Sequence, residues 1–197
     1  MTSLRIGVKM VLMKKLYTYL FLIFFNFSAS SFAEEIKEIE IEGMSLGKSL
    51  LKYISEEEIK ATTVPDVYED KFEVMLFDKK PLRYDWITAT YKSNDKKYII
   101  YGIAGVKDFP NNIENCYKEQ DRIRGEISIN LKNWGILILE EKENSTYKPM
   151  TYEDNHGHAI SVACYNYPES PEINNLKLSL DAKEFKNYIK DRAIKAN

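Results

Sequence analysis

The chain has 197 residues, a formal net charge of −2, two cysteines and two histidines. Its length fits one domain or two small ones, and a 44% hydrophobic content is enough for a core, which excludes wholesale disorder. Near-neutral charge argues against a dedicated nucleic-acid binder, and two cysteines are too few for a disulfide-rich scaffold or a four-cysteine zinc site.

The first 33 residues read as a secretory signal peptide. They hold Arg5, Lys9, Lys14 and Lys15 and no acidic residue, then an apolar run from Leu16 to Phe27, then small residues ending Ser31-Phe32-Ala33. Cleavage is expected after Ala33. The run is too short for a membrane span, which needs about 20 apolar residues, and no cysteine stands at the cleavage site to carry a lipid. The expected organisation is a signal peptide over 1–33 and one domain over 34–197. With four of the 28 basic residues in the signal, the remainder carries about −6. No nucleic acid, no stable membrane anchor and no cofactor are expected.

Along the mature chain, Glu38–Glu42 alternates charged and apolar residues and reads as a strand. Gly43–Ile54 reads as a turn into a short helix with Ser45 as N-cap. Ser55-Glu56-Glu57-Glu58 has the capping-box form and opens a second helix. Thr62–Asp70, with Pro65, reads as a connector. Phe72–Phe77, Tyr84–Tyr91 and Tyr98–Val106 follow as three strands of an antiparallel meander. From Asn111, apolar positions recur at steps of three and four through Ile113, Cys116, Tyr117, Gln120, Ile123, Ile127, Leu131 and Trp134, which predicts a long helix stopping near Gly135. Ile136–Leu139 reads as a buried strand. Lys142–His158 reads as a polar loop with a short strand near Tyr147. Ala159–Tyr167 and Leu176–Leu180 alternate as strands, and Asp181 with Glu184 suits the start of a final helix. Locally paired strands with interspersed helices imply an α+β fold: an antiparallel sheet with helices packed on one face.

Cys116 lies on the buried stripe of its helix and Cys164 on the inward face of its strand. In an exported protein such a pair is most simply a disulfide. It would close a loop of about 49 residues, worth roughly 3–4 kcal/mol on the chain-entropy model.

Candidate chemistry is sparse. Asp154, His156 and His158 form the one histidine-bearing segment, and histidines two apart on a strand share a side, so these three are weak metal candidates. A Cys164–His158 nucleophile pair is disfavoured, because six strand residues span about 20 Å. Gly43 to Ser49 superficially resembles a phosphate loop but lacks its first glycine at the required spacing. Glu56–Glu58 suits a helix N-terminus better than acid–base work. Tyr84, Tyr91, Tyr98 and Tyr101 on the meander are candidates for a sugar- or peptide-binding face. Asn144-Ser145-Thr146 is a formal glycosylation sequon.

Ile41–Ile59, the pattern from Tyr98 to Cys116 and the Cys164 strand resemble exported proteins of marine alphaproteobacteria. More distantly, the strand, Gly43-Met44-Ser45 turn, helices and three strands over 36–106 are similar to the small domain of the outer-membrane assembly lipoprotein BamE and to β-lactamase-inhibitor-type proteins. The resemblance implies an envelope protein and supplies no site residue. The expected function is a non-enzymatic periplasmic or secreted binding or interaction domain, its partner an envelope protein, peptide or glycan. The alternative is a small hydrolase or metal-dependent enzyme built on Asp154, His156 and His158.

Overall fold

The computed structural model describes residues 36, 39–69, 71–77, 83–130 and 147–195. The expected signal segment, the Ile136–Leu139 strand, the Trp134 and Gly135 positions and the Asn144 sequon lie outside them. The chain divides into two units, Met1–Ala33 and Glu34–Asn197; the sheet and helices below belong to the second.

Among the described residues, seven strands form one antiparallel sheet: β1 (Thr63–Tyr68), β2 (Phe72–Phe77), β3 (Trp86–Lys92), β4 (Ile100–Asp108), β5 (Tyr147–Glu153), β6 (Ala159–Tyr165) and β7 (Asn175–Asp181). Their spatial order is β1-β2-β3-β4-β7-β6-β5. The last strand in sequence therefore sits inside the sheet, joining the β1–β4 meander to the β5–β6 hairpin. The helices are α1 (Glu56–Thr62), α2 (Ile113–Asn130) and α3 (Lys183–Lys195). The α+β class with its antiparallel sheet is as expected from the sequence pattern.

Period-two alternation assigns each strand two faces. One face carries Met75, Ile87, Ala89, Ile103, Ile160, Val162, Cys164, Leu176 and Leu180, all buried. The N-terminal strap, α1 and α2 cover it. Ile41, Met44, Leu46, Leu50 and Ile54 of the strap and Ile59 of α1 complete that core. The third helix lies against the opposite face, where Phe185 sits over Gly102, so the helices do not all pack on one face as the sequence suggested. A Cβ on Gly102 would meet the Phe185 ring at 2.8 Å, so only glycine lets α3 approach this closely.

Two local readings are corrected. Glu38–Glu42 is not a strand at its C-terminal end: Ile41 and Met44 bond reciprocally across a tight turn, made possible by Glu42 and Gly43 at positive φ. The following segment is a strap rather than a helix. Gly47 donates to Ile100 and Lys48 accepts from it, leaving only a 3₁₀ turn over Leu50–Lys52. Its cap is Ser49, whose hydroxyl accepts from Leu51 N, and not Ser45. The phosphate-loop lookalike is thus stitched to the start of β4.

The Thr62–Asp70 connector is in fact an edge strand. Pro65 hid it, because proline argues against a central strand but is tolerated at an edge, here beside a register shift between Val64 and Tyr68. Pro149 occupies the opposite edge strand, β5. The capping box of α1 is observed: the Ser55 hydroxyl accepts from Glu58 N at 3.2 Å. Ser55→Ala should lower the unfolding free energy by about 1 kcal/mol, read as a lower urea midpoint at unchanged slope.

Helix α2 presents the expected stripe. Cys116, Gln120 and Ile123 are buried, Ile113, Tyr117 and Ile127 partly so, and Gly125 is exposed. Its cap is Asn112, whose side-chain oxygen accepts from Asn115 N. Cys116 and Cys164 form the disulfide, with 6.0 Å between Cα atoms. Both are at most 1% exposed and lie in a small core of their own with Val162 and Leu176. Gln120 adds a second tie, donating to Val162 O at 2.9 Å.

Candidate functional site

Three places in the described residues gather groups able to bind or react. The first lies on the α3 side of the sheet. The β4 residues facing that side are Gly102, Ala104 and Val106. Their small volume leaves a trough beside the helix. Thr88, Ala104, Ser179, Ser161 and Thr151 run side by side across five strands, and the Thr151 and Ser161 hydroxyls bond at 3.0 Å. Next to this row stand Thr90, Gly102 and Asp181 on adjacent strands. Where α3 and β1 overhang the trough, a cavity of about 200 Å³ remains. Val67, Tyr68, Val74 and Phe185 supply its apolar wall, and Thr88, Thr90, Lys177, Ser179 and Asp181 its polar groups.

Asp181 is the focal charge. It stands at the C-terminal end of β7, half-buried, with Oδ2 accepting from Ser179 Oγ at 3.2 Å. Burial pushes its carboxyl up to about 6, against the opposing pull of Lys177, the Ser179 hydroxyl and Lys186. Lys186 is itself committed to Glu153, Nζ to Oε2 2.5 Å. Thr90 is 5% exposed and its hydroxyl makes no hydrogen bond among the described residues. This hydroxyl belongs to a residue that lines the cavity and is available to donate to or accept from a bound molecule.

The second place is a more open cleft of about 350 Å³ between α1 and the β3–β4 turn, lined by Lys60, Thr63, Glu73, Tyr91, Asp95 and Tyr98 among others. Tyr91, 2% exposed, donates to Glu73 Oε2 at 2.7 Å and lies 2.8 Å from the Thr63 hydroxyl. Burial is the main reason its phenol is held well above the usual range. Tyr98 donates to Glu56 Oε1 at 3.1 Å, and its ring meets Tyr91 edge-on at 5.2 Å. These groups bond to one another across the cleft floor, joining α1, β1, β2 and β3. Tyr91→Phe removes both phenol contacts and leaves Glu73 short of a donor. It should cost about 1–2 kcal/mol, seen as a melting temperature lower by about 3–6 °C.

The third place is the histidine turn. The sequence places Asp154, His156 and His158 close together, and the structure keeps them on one turn, with ring centroids of the histidines 6.4 Å apart. Asp154 Oδ1 accepts from His156 N and His158 N, both at 2.9 Å, and Oδ2 from Ile36 N at 3.4 Å. The carboxylate therefore holds the β5–β6 hairpin turn and clasps the N-terminal strap. His158 Nδ1 accepts from Lys183 N at 3.2 Å, capping the start of α3. The sequence suggested Asp181 and Glu184 for the start of that helix; Asp181 faces the cavity instead. Among the described residues, no three His, Cys, Asp or Glu side chains come together in a group able to hold a metal.

The meander tyrosines do not make one face. Tyr91 and Tyr98 are core residues, the Tyr84 ring covers Gly105, and Tyr101 packs against Phe72 at 5.7 Å under the Lys92 ammonium. The exposed apolar residues nearest the α3-side cavity are aliphatic: Val64, Val67 and Leu76, each about two-fifths exposed. Thr90, Ser179 and Lys177 were not singled out by the sequence, and Asp181 only as a helix cap. The only local signal was polar residues at alternate positions of Leu176–Leu180, which is also what an ordinary half-exposed strand shows.

Among the described residues no helix is long and apolar enough to cross a membrane. Comparison of the chain with family models, curated proteins and solved structures finds no match.

Proposed function

We propose that this chain is an exported, periplasmic, non-enzymatic binding domain that holds a small ligand in the cavity between α3 and the sheet. The carrying observation is how its polar groups are distributed. Those best suited to chemistry are engaged in holding the fold. Cys116 and Cys164 are joined to each other, Asp154 and His158 cap backbone N–H groups, and Tyr91 is tied to Glu73 and Thr63. The α3-side cavity, by contrast, gathers a carboxyl, an ammonium and an unbonded hydroxyl around open space. This is the pattern of a binding pocket, an apolar wall with a few convergent polar groups. Export is supported by the N-terminal segment and agrees with a disulfide that would be reduced in the cytosol.

The test is native mass spectrometry of protein produced with its own N-terminal segment and recovered from the periplasmic fraction. The expected species starts at Glu34, carries the disulfide, and retains a small non-covalent ligand that is lost in Thr90→Val and Asp181→Asn. An unprocessed cytosolic chain would overturn export. A bound species that survives both substitutions, or none at any stage of gentle purification, would overturn the cavity as the binding site.

A further inference from the structure

We infer that the α3-side cavity takes a free α-amino acid with a small apolar side chain, its ammonium on Asp181 and its carboxylate on Lys177. This rests on the binding reading above and names the ligand class. Three features of the cavity converge on it.

The first is charge. Asp181 and Lys177 line the same cavity on the same face of β7, and among the described residues neither is in an ion pair. Four residues apart on a strand, their Cα atoms stand about 13 Å from each other. That is too far for a direct bridge at full strength, and a small zwitterion in the cavity both residues line would meet both charges. The nearest competing cation for Asp181, Lys186, is occupied by Glu153. A buried charge is costly until it is paired. A simple amine would satisfy Asp181 and leave Lys177 unpaired. A simple carboxylate would do the reverse, and a neutral polyol would pair neither. Only a ligand bearing both signs completes both.

The second is hydrogen bonding. An ammonium has three donors. Asp181 faces Thr90 across Gly102, with the two Cα atoms about 10 Å apart at two strand spacings. Asp181 Oδ1 leans over Gly102, lying 3.2 Å from where its Cβ would be. The Phe185 ring fills the space directly above Gly102, so an ammonium on Asp181 stands beside that ring, with the Ser179 and Thr90 hydroxyls lining the same cavity. Glycine at 102 thus serves the approach of α3, whose Phe185 closes this end of the cavity.

The third is size and polarity. A cavity of about 200 Å³ suits a molecule of valine or leucine size and is small for a peptide or an oligosaccharide. Its remaining wall, Val67, Val74 and Phe185, is apolar and lies beside the charged end.

The experiment is calorimetric titration of the whole purified protein with L-valine, with isobutylamine (valine without its carboxylate), with 3-methylbutanoate (valine without its ammonium) and with glucose. Valine should bind saturably, and each analogue at least ten-fold more weakly. Asp181→Asn, Thr90→Val and Lys177→Gln should each weaken valine, the charge variants by ten-fold or more. In Lys177→Gln, valine should lose its advantage over isobutylamine. Thr90→Val is close to isosteric and guards against a folding defect in the charge variants. Valine binding no tighter than isobutylamine, or unmoved by Asp181→Asn and Lys177→Gln, would overturn the inference. If glucose alone binds, in a way that depends on Asp181 and Thr90, the amino-acid assignment falls and the binding cavity stands. If none of the four binds while a retained ligand is still lost in those variants, the assignment falls in the same way. If neither is seen, both fall.

Discussion

Cys116→Ala combined with Cys164→Ala should lower the unfolding free energy by about 3–4 kcal/mol, the largest effect expected of any change in the fold. The bridge closes a long loop, since its ends are 48 residues apart in sequence, and it fixes α2 against β6 at one point. Without it the unfolded chain regains the freedom of that loop, while the folded state keeps Gln120 on Val162 and loses only a small buried contact. Urea unfolding of the double variant should show a lower midpoint. The slope should be slightly higher, because an uncrosslinked unfolded chain exposes more surface. The wild-type protein under reducing conditions should behave within about 1 kcal/mol of the variant. A loss below 1 kcal/mol in both would mean that α2 is held by packing alone. Thiol labelling of the unreduced, denatured protein should find no reactive cysteine.

The second large effect is a pH dependence with an unusual sign. Most paired carboxylates stabilise a fold as they ionise. Asp181 does the opposite, because burial lifts its carboxyl from the ordinary 3.8 to about 6. Below about pH 4 both the folded and unfolded chains hold the proton and the group contributes nothing. Between 4 and 6 the unfolded chain releases its proton first, so stability falls as pH rises. Above about 7 the fold carries the full cost of a half-buried charge, as much as roughly 3 kcal/mol. The groups facing it are Lys177 and Ser179 on its own strand, Lys186 on α3 and Tyr68 on β1. The first three ease the cost, and the phenol is itself pushed up, chiefly by burial and then by the Asp181 charge. Asp181→Asn should therefore be more stable than wild type at pH 8 and equal to it at pH 3.5. Melting curves of the two proteins across that range should converge on acidification. Parallel curves, or a variant less stable at pH 8, would refute the assignment.

How much of this was legible in the residues depended on how local the signal was. The helix bearing Cys116 and the strand bearing Cys164 each show their own period, and together with the signal-like N-terminal segment they pointed to the disulfide. The Ser55 capping box is equally local. The edge strand β1 was not legible, because Pro65 reads as a break unless one knows the strand lies at the rim. The Ile41–Met44 turn was masked by three glutamates, Glu38, Glu40 and Glu42, that imitate a strand alternation. The insertion of β7 between β4 and β6 is set by which apolar faces bury together, across more than 70 residues between Gly102 and Asp181, and no short window carries it. The cavity depends on that insertion. Thr90, Gly102 and Asp181 become neighbours only in the finished sheet, so a carboxylate that looked like a helix cap became the centre of the candidate site.

The prolines of the two rim strands have a further consequence. An open sheet offers a free row of backbone donors and acceptors at each side, and such rows recruit strands from other chains. Pro65 deletes a donor from one row, where the register shift after Val64 also bends it, and Pro149 deletes one from the other. Extension by strand addition is thereby discouraged at both sides. Both rims thus favour one sheet per molecule.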